Sequence, residues 1–264
     1  MIYISKIISI LFFLTLIFDF ANAQEYKKYL IAYYSFDDST AKDQSGNGFH
    51  GTLVNNPKPD IGISGTCFRF KGKDGFINEA SSKSLIGDHI VIPPVLNSIS
   101  GNFTISLWVN EEKLEFVGGS GYIFFGQVFR FWAGIYHAGH YPDPTLWIKF
   151  STGSVNDENE PIRYEYSHSF DNKWMHYALV YDNDIMKVYV NGKFFQSKAQ
   201  LKLIYSDRAG IATNYWYYGN EDRQSAAFTG RIDEVMIFNK ALSDEEIKDL
   251  ATPCKNPDAT ILSD

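Results

Sequence analysis

The chain has 264 residues, 45% hydrophobic and 16% aromatic, which supplies one sizeable core and argues against intrinsic disorder. Its 24 Lys and Arg are outnumbered by 31 Asp and Glu, and a net charge of −7 repels a polyanion, so nucleic acid is not an expected partner. The aromatics include 21 Phe and 17 Tyr, a choice that suits pleated, half-buried surfaces better than helices.

At the N-terminus Lys6 supplies a positive charge, and Ile7 to Phe18 form an apolar stretch broken only by Ser9 and Thr15. Ala21-Asn22-Ala23 then offers small residues at both recognition positions of a signal peptidase. Residues 1–23 read as a secretory signal peptide, with a mature chain starting at Gln24. Twelve residues span about 18 Å as a helix, short of a bilayer core of about 30 Å, so no integral membrane anchor is expected. The destination is extracellular, or the periplasm or cell surface in a bacterium. Only Cys67 and Cys254 are present, and in an oxidising compartment they read as one disulfide closing nearly the whole domain, with two unpaired buried thiols as the alternative.

From Tyr29 to Ile237 short alternating runs are separated by Gly, Asn, Asp and Pro clusters, the pattern of an all-β sandwich. In Phe103-Thr104-Ile105-Ser106-Leu107-Trp108-Val109, Phe, Ile, Leu and Val share one parity and Thr, Ser and Trp the other, which predicts a strand with two different faces. Trp174 to Tyr181, Asp182-Asn183-Asp184, Met186 to Val190 and Asn191-Gly192 before Phe194 predict two successive hairpins, the second closed by a type I′ turn. Ser243-Asp244-Glu245-Glu246 is a capping box that opens the one well-signalled helix, running to Leu250 before Pro253. No repeat or linker divides residues 24–254, which read as one domain, and residues 255–264 carry no periodic pattern and read as a loose tail.

Four stretches together carry a resemblance. Tyr33-Tyr34-Ser35-Phe36-Asp37-Asp38 leads into Asp43-Gln44-Ser45-Gly46-Asn47-Gly48-Phe49-His50-Gly51. Later come the Phe103 to Val109 strand, and Trp174 to Tyr181 with Val188-Tyr189-Val190-Asn191-Gly192. Gly230-Arg231-Ile232-Asp233-Glu234-Val235-Met236-Ile237-Phe238-Asn239-Lys240-Ala241-Leu242-Ser243 closes the series. The chain resembles the laminin-G-like domains of the concanavalin A-like lectin and glucanase superfamily. That implies an all-β jelly-roll sandwich of two antiparallel sheets with one short C-terminal helix. It also implies a role in carbohydrate binding or extracellular adhesion, often with a structural calcium.

For calcium, Asp37, Asp38, Asp43 and Asn47 offer hard oxygen ligands around a Gly-rich turn. Asp233 shares parity with Val235 and Ile237, so its carboxylate is expected to point inward and to need a partner. In similar family members the two terminal segments lie side by side, which would bring Asp233 to the Asp43 to Asn47 loop around one Ca²⁺. The alternative is a plain turn whose Asx hydrogen bonds need no metal.

A sugar-binding face needs flat rings and a few polar groups. Residues 131–147, with Trp132, Tyr136, His137, His140 and Trp147, and residues 214–223, with Trp216, Tyr217 and Tyr218, mix rings with loop formers, and Arg163 could add a donor. Alternate rings can equally fill the space between sheets, and Trp108 and Trp174, lying within the strand motifs, are assigned to packing. His137 and His140 suit sugar hydroxyls better than zinc, because Gly139 and Pro142 oppose the helix that His-x-x-His needs. Related glycosidases alternate acids along one strand as Glu-x-Asp-x-x-Glu, and no such run exists here. No Gly-x-Ser-x-Gly elbow, P-loop or His-Glu-x-x-His is present either. The expected function is a secreted non-catalytic carbohydrate-binding module whose partner is a glycan or extracellular glycoprotein. A protein-binding adhesion domain and a glycoside hydrolase of the same superfold are the alternatives.

Overall fold

The computed structural model describes residues 25–72, 87–112, 121–127, 132–136, 145–148, 162–165, 172–199, 207–218, 221–225 and 228–252; at 121–123, 132–136, 145–148, 162–165, 214–218 and 221–225 it describes the backbone alone. Two antiparallel sheets pack face to face. The larger has eight strands: β1 (Leu30–Tyr34), β3 (Lys58–Ile61), β4 (Thr66–Phe70), β6 (Phe103–Glu111), β11 (Trp174–Asp182), β12 (Ile185–Val190), β13 (Lys193–Ala199) and β17 (Gly230–Phe238). Their order is β13-β12-β11-β6-β17-β4-β3, with β1 also paired to β17. The smaller runs β2 (Thr52–Val54), β5 (His89–Ile92), β14 (Ala209–Ile211), β7 (Gly121–Gly126) and β8 (Trp132–Tyr136). Two ribbons complete the strands: β9 (Thr145–Ile148) with β10 (Ile162–Glu165), and β15 (Asn214–Tyr218) with β16 (Glu221–Ser225).

The period-two pattern decides what fills the sandwich. Phe103, Ile105, Leu107 and Val109 of β6 join Tyr177 and Leu179 of β11 in a core shared with Ile90, Ile92, Phe124, Phe125 and Ile211 of the smaller sheet. Phe124 stacks on Tyr177 at 5.3 Å and meets Phe228 edge-on at 5.5 Å, tying the sheets together by aromatic contact.

The opposite parity of β6, Thr104, Ser106 and Trp108, is buried too, because the outer face of the large sheet is itself covered. At one end lies α1 (Asp244–Leu250), whose Ile247 packs with Tyr26, Ala178, Val180, Tyr189, Phe238 and Leu242. Its capping box forms as the sequence predicts: Ser243 Oγ accepts from the Glu246 amide at 3.3 Å, and Glu246 Oε2 accepts from the Ser243 amide at 2.8 Å. At the other end Ile63, Cys67, Trp108 and Trp174 form a second buried cluster, so both motif tryptophans serve packing. The hairpin after β12 turns at Asn191 and Gly192 with φ of 48° and 75°, and the one before it at Asn183 and Asp184 with 47° and 64°. Both central residues are left-handed in each, as a type I′ turn requires.

One expectation changes. The parity argument for Asp233 fails because β17 carries a bulge. Asp233 faces Trp108 and Met236 faces Ser106, so three steps along β17 match two along β6, and Glu234 takes a left-handed φ of 50°. Ile232, Val235 and Ile237 therefore point into the sandwich while Asp233 turns to the outer face beneath the β3–β4 turn. Cys67 is buried, its Sγ 3.3 Å from the Ile61 carbonyl that it donates to, and Cys254, its expected disulfide partner, lies outside the described residues.

Candidate functional site

The ring-bearing segments become strands flanking the smaller sheet. Trp132 and Tyr136 begin and end β8, its edge strand, where they pair with Gly126 and Gly121. β9, with Trp147, runs beside β8, and its register sets Trp147 directly opposite Arg163 of β10. Sequence alone could not bring those two together; the antiparallel ribbon does. Elsewhere β14 leads through Ala212 and Thr213 into β15, which lies beside β7 and places Trp216 opposite Arg223, Tyr217 opposite Asp222 and Tyr218 opposite Glu221. Two ribbons thus adjoin the smaller sheet, each with a tryptophan–arginine register pair. The second arginine, Arg223, was not singled out as a site residue, since only the hairpin register reveals its partner. His137 and His140 lie outside the described residues.

The acidic residues divide into two places. Around the Gly-rich turn, Asp43 is buried, and its carboxylate accepts the amides of Tyr33 at 3.0 Å, Ser45 at 2.9 Å and Phe49 at 2.9 Å. Burial pushes this carboxyl up, but the amides outweigh it and hold Asp43 below the usual carboxylate range. Asn47 donates its carboxamide to the carbonyls of Leu30 and Ile31 at 3.3 and 2.9 Å. Asp38 is exposed and turns back to the Thr40 amide and hydroxyl, at 3.0 and 2.6 Å.

The second place is the bulge. Asp233 is 0% exposed; its carboxylate accepts from the Ser64 amide at 3.2 Å and the Glu234 amide at 2.9 Å. Burial, reinforced by the charge of Glu234, raises Asp233 to about 8. Burial also raises Glu234 to about 7, with Asp37 adding to the push, while the Tyr33 hydroxyl, donating at 2.9 Å, works against it. Asp37 accepts from the Thr66 amide at 2.9 Å. The chain packs closely over these acids: a Cβ on Gly62 would collide with Asp233 Oδ2, and one on Gly65 with Asp37 Oδ1. Among the described residues no three acidic, His or Cys side chains are placed to hold a metal ion by themselves. The structure therefore does not gather Asp37, Asp38, Asp43, Asn47 and Asp233 into one ligand shell.

Between the two outer clusters sits a serine–histidine pair, with Ser106 Oγ 2.8 Å from His176 Nε2. It resembles a nucleophile and base but is sealed, at 2% and 0% exposure, and His176 Nδ1 has no hydrogen-bond partner among the described residues. Burial lowers His176 to about 3. A dyad that no substrate can reach does no acyl transfer.

Residues 84–248 match the sequence profile of a laminin-G-like family placed in the concanavalin A-like lectin/glucanases superfamily. No curated protein sequence matches the chain. Among solved structures, domain 4 of AbnA, a GH43 extracellular arabinanase from Geobacillus stearothermophilus in complex with arabinotriose, is similar with a TM-score of 0.57 at 23% identity, over 84% of this chain and 98% of that one. The binding domain of botulinum neurotoxin DC in complex with SialylT gives 0.57 at 18% identity, over 85% and 51%. The same binding domain in complex with rat synaptotagmin II gives 0.55 at 16%, over 86% and 52%. The chain spans about half the length of these toxin domains. At such identities the likeness shows the fold alone.

Proposed function

The chain belongs to the laminin-G-like family of the concanavalin A-like lectin/glucanases superfamily, and from that we propose that it is a secreted, non-catalytic module that binds carbohydrate through the ribbons bordering its smaller sheet. One observation carries the reading: β9–β10 and β15–β16 each set a tryptophan directly opposite an arginine, Trp147 with Arg163 and Trp216 with Arg223. Rings stack on the apolar sides of pyranoses and guanidinium groups donate to hydroxyls, so this pairing supplies both halves of sugar recognition. The arabinanase domain solved with arabinotriose supports it, as this chain matches that domain over nearly its whole length. Lys6, the apolar run from Ile7 to Phe18 and Ala21-Asn22-Ala23 support export.

A structural calcium belongs to the same proposal. Asp37, Asp233 and Glu234 act on one another electrostatically, and a divalent cation beside Asp233 would relieve that repulsion. Backbone oxygens and water would complete its shell. The second reading, a protein-binding adhesion domain, is favoured by the toxin domain solved with synaptotagmin.

A glycan array probed with the mature protein, with and without chelator, tests the proposal. Trp216→Ala should abolish binding and leave the melting temperature nearly unchanged, whereas a core role for that ring would lower stability by roughly 3–5 kcal/mol. Wild-type protein that binds no glycan would favour the adhesion reading, and release of free sugar would restore the glycosidase.

A further inference from the structure

β1 has one edge on β17, where Ala32 and Tyr34 face Ile237 and Val235. By the alternation of a strand, its other edge presents the backbone groups of Ile31 and Tyr33. Among the described residues no strand lies beside that edge, yet three of its polar groups are engaged. The Tyr33 amide donates to Asp43 at 3.0 Å, and the Tyr33 carbonyl accepts from the Gln44 amide at 2.8 Å. The Ile31 carbonyl accepts from Ser45 Oγ at 2.8 Å and Asn47 Nδ2 at 2.9 Å. Residues 43–47 thus offer donors and acceptors in the places where a neighbouring strand would offer its own. The turn that makes this fit uses Gly46 and Gly48 at φ of 90° and 82°.

We propose that the Asp43–Phe49 loop is a metal-independent cap on the free edge of β1, holding the N-terminal strand in the sheet and denying that edge to other chains. An unpaired edge is a template for strand addition, and a cap of side chains blunts it. Asp43 fits this role: one of its oxygens accepts the Tyr33 and Ser45 amides and the other that of Phe49. The inference is independent of whether the module binds sugar.

The test is amide hydrogen exchange of the folded protein, with light scattering across a concentration series, each in calcium and in chelator. Wild-type protein should keep the Tyr33 amide protected and stay at one mass in both buffers. Asp43→Ala should speed Tyr33 exchange about tenfold or more and make self-association rise with concentration, equally in both buffers. Asn47→Ala, which removes donors and no carboxylate, should show the same direction in milder form and covers the case in which Asp43→Ala does not fold. Unchanged Tyr33 protection and mass in Asn47→Ala would overturn the cap. Loss of Tyr33 protection in wild type on chelation alone would overturn its metal independence.

Discussion

His176 shows what burial without a second partner among the described residues does to a titratable residue. Its free value of 6.5 falls to about 3 in the fold, so between those limits the unfolded chain takes up a proton that the folded chain refuses. Stability is present above 6.5 and drains away as pH falls, by about 1.4 kcal/mol per pH unit. Asp233 and Glu234 tilt the other way: raised in the fold, they stabilise fully below their unfolded values and lose that contribution as pH rises through about 7 to 8. The comparison must therefore be differential. Wild-type melting temperature should fall more steeply between pH 6.5 and 4 than that of His176→Gln, whatever the offset between them; parallel curves would mean that His176 is not buried neutral. At this scale the sequence was least legible. Asp233 reads as a core-facing carboxylate by parity, and only the extra residue at Glu234 turns it outward, a shift of one position that no hydrophobic pattern encodes.

Among the elements, those set by local chemistry are the ones the sequence specifies. The helix begins at Ser243 because that residue and Glu246 satisfy each other's backbone amides, a motif contained in four residues. Ser243→Ala should cost about 1 kcal/mol by chemical denaturation, and Ser243→Thr much less, because the threonine hydroxyl retains the cap. Equal losses would mean that the packing of Ile247, and not the cap, governs this helix. The Asn191-Gly192 hairpin was legible for the same reason: its turn demands left-handed residues and the chain supplies them. The tryptophan–arginine registers were not, since pairing Trp147 with Arg163 depends on where a 13-residue connection, 149–161, returns the chain. Long-range register is fixed by the finished sheet and leaves no trace in either segment.

For the whole molecule, the large sheet is packed on both faces, against the smaller sheet within and against the helix and the β3–β4 turn without. The smaller sheet and its ribbons are where the expected ligand residues lie. Of the five tryptophans, Trp108 and Trp174 are each 3% exposed in the outer cluster of the large sheet, while Trp132, Trp147 and Trp216 sit on the smaller sheet or its ribbons. On the proposed reading those three rings are accessible, which gives the protein two spectroscopic populations. The buried pair should emit at short wavelength, resist aqueous quenchers until the fold is lost, and report unfolding alone. A sugar that quenches or shifts only the remaining emission, with the blue component unmoved, would localise binding to the smaller sheet in a single titration, and a change confined to the blue component would place it elsewhere.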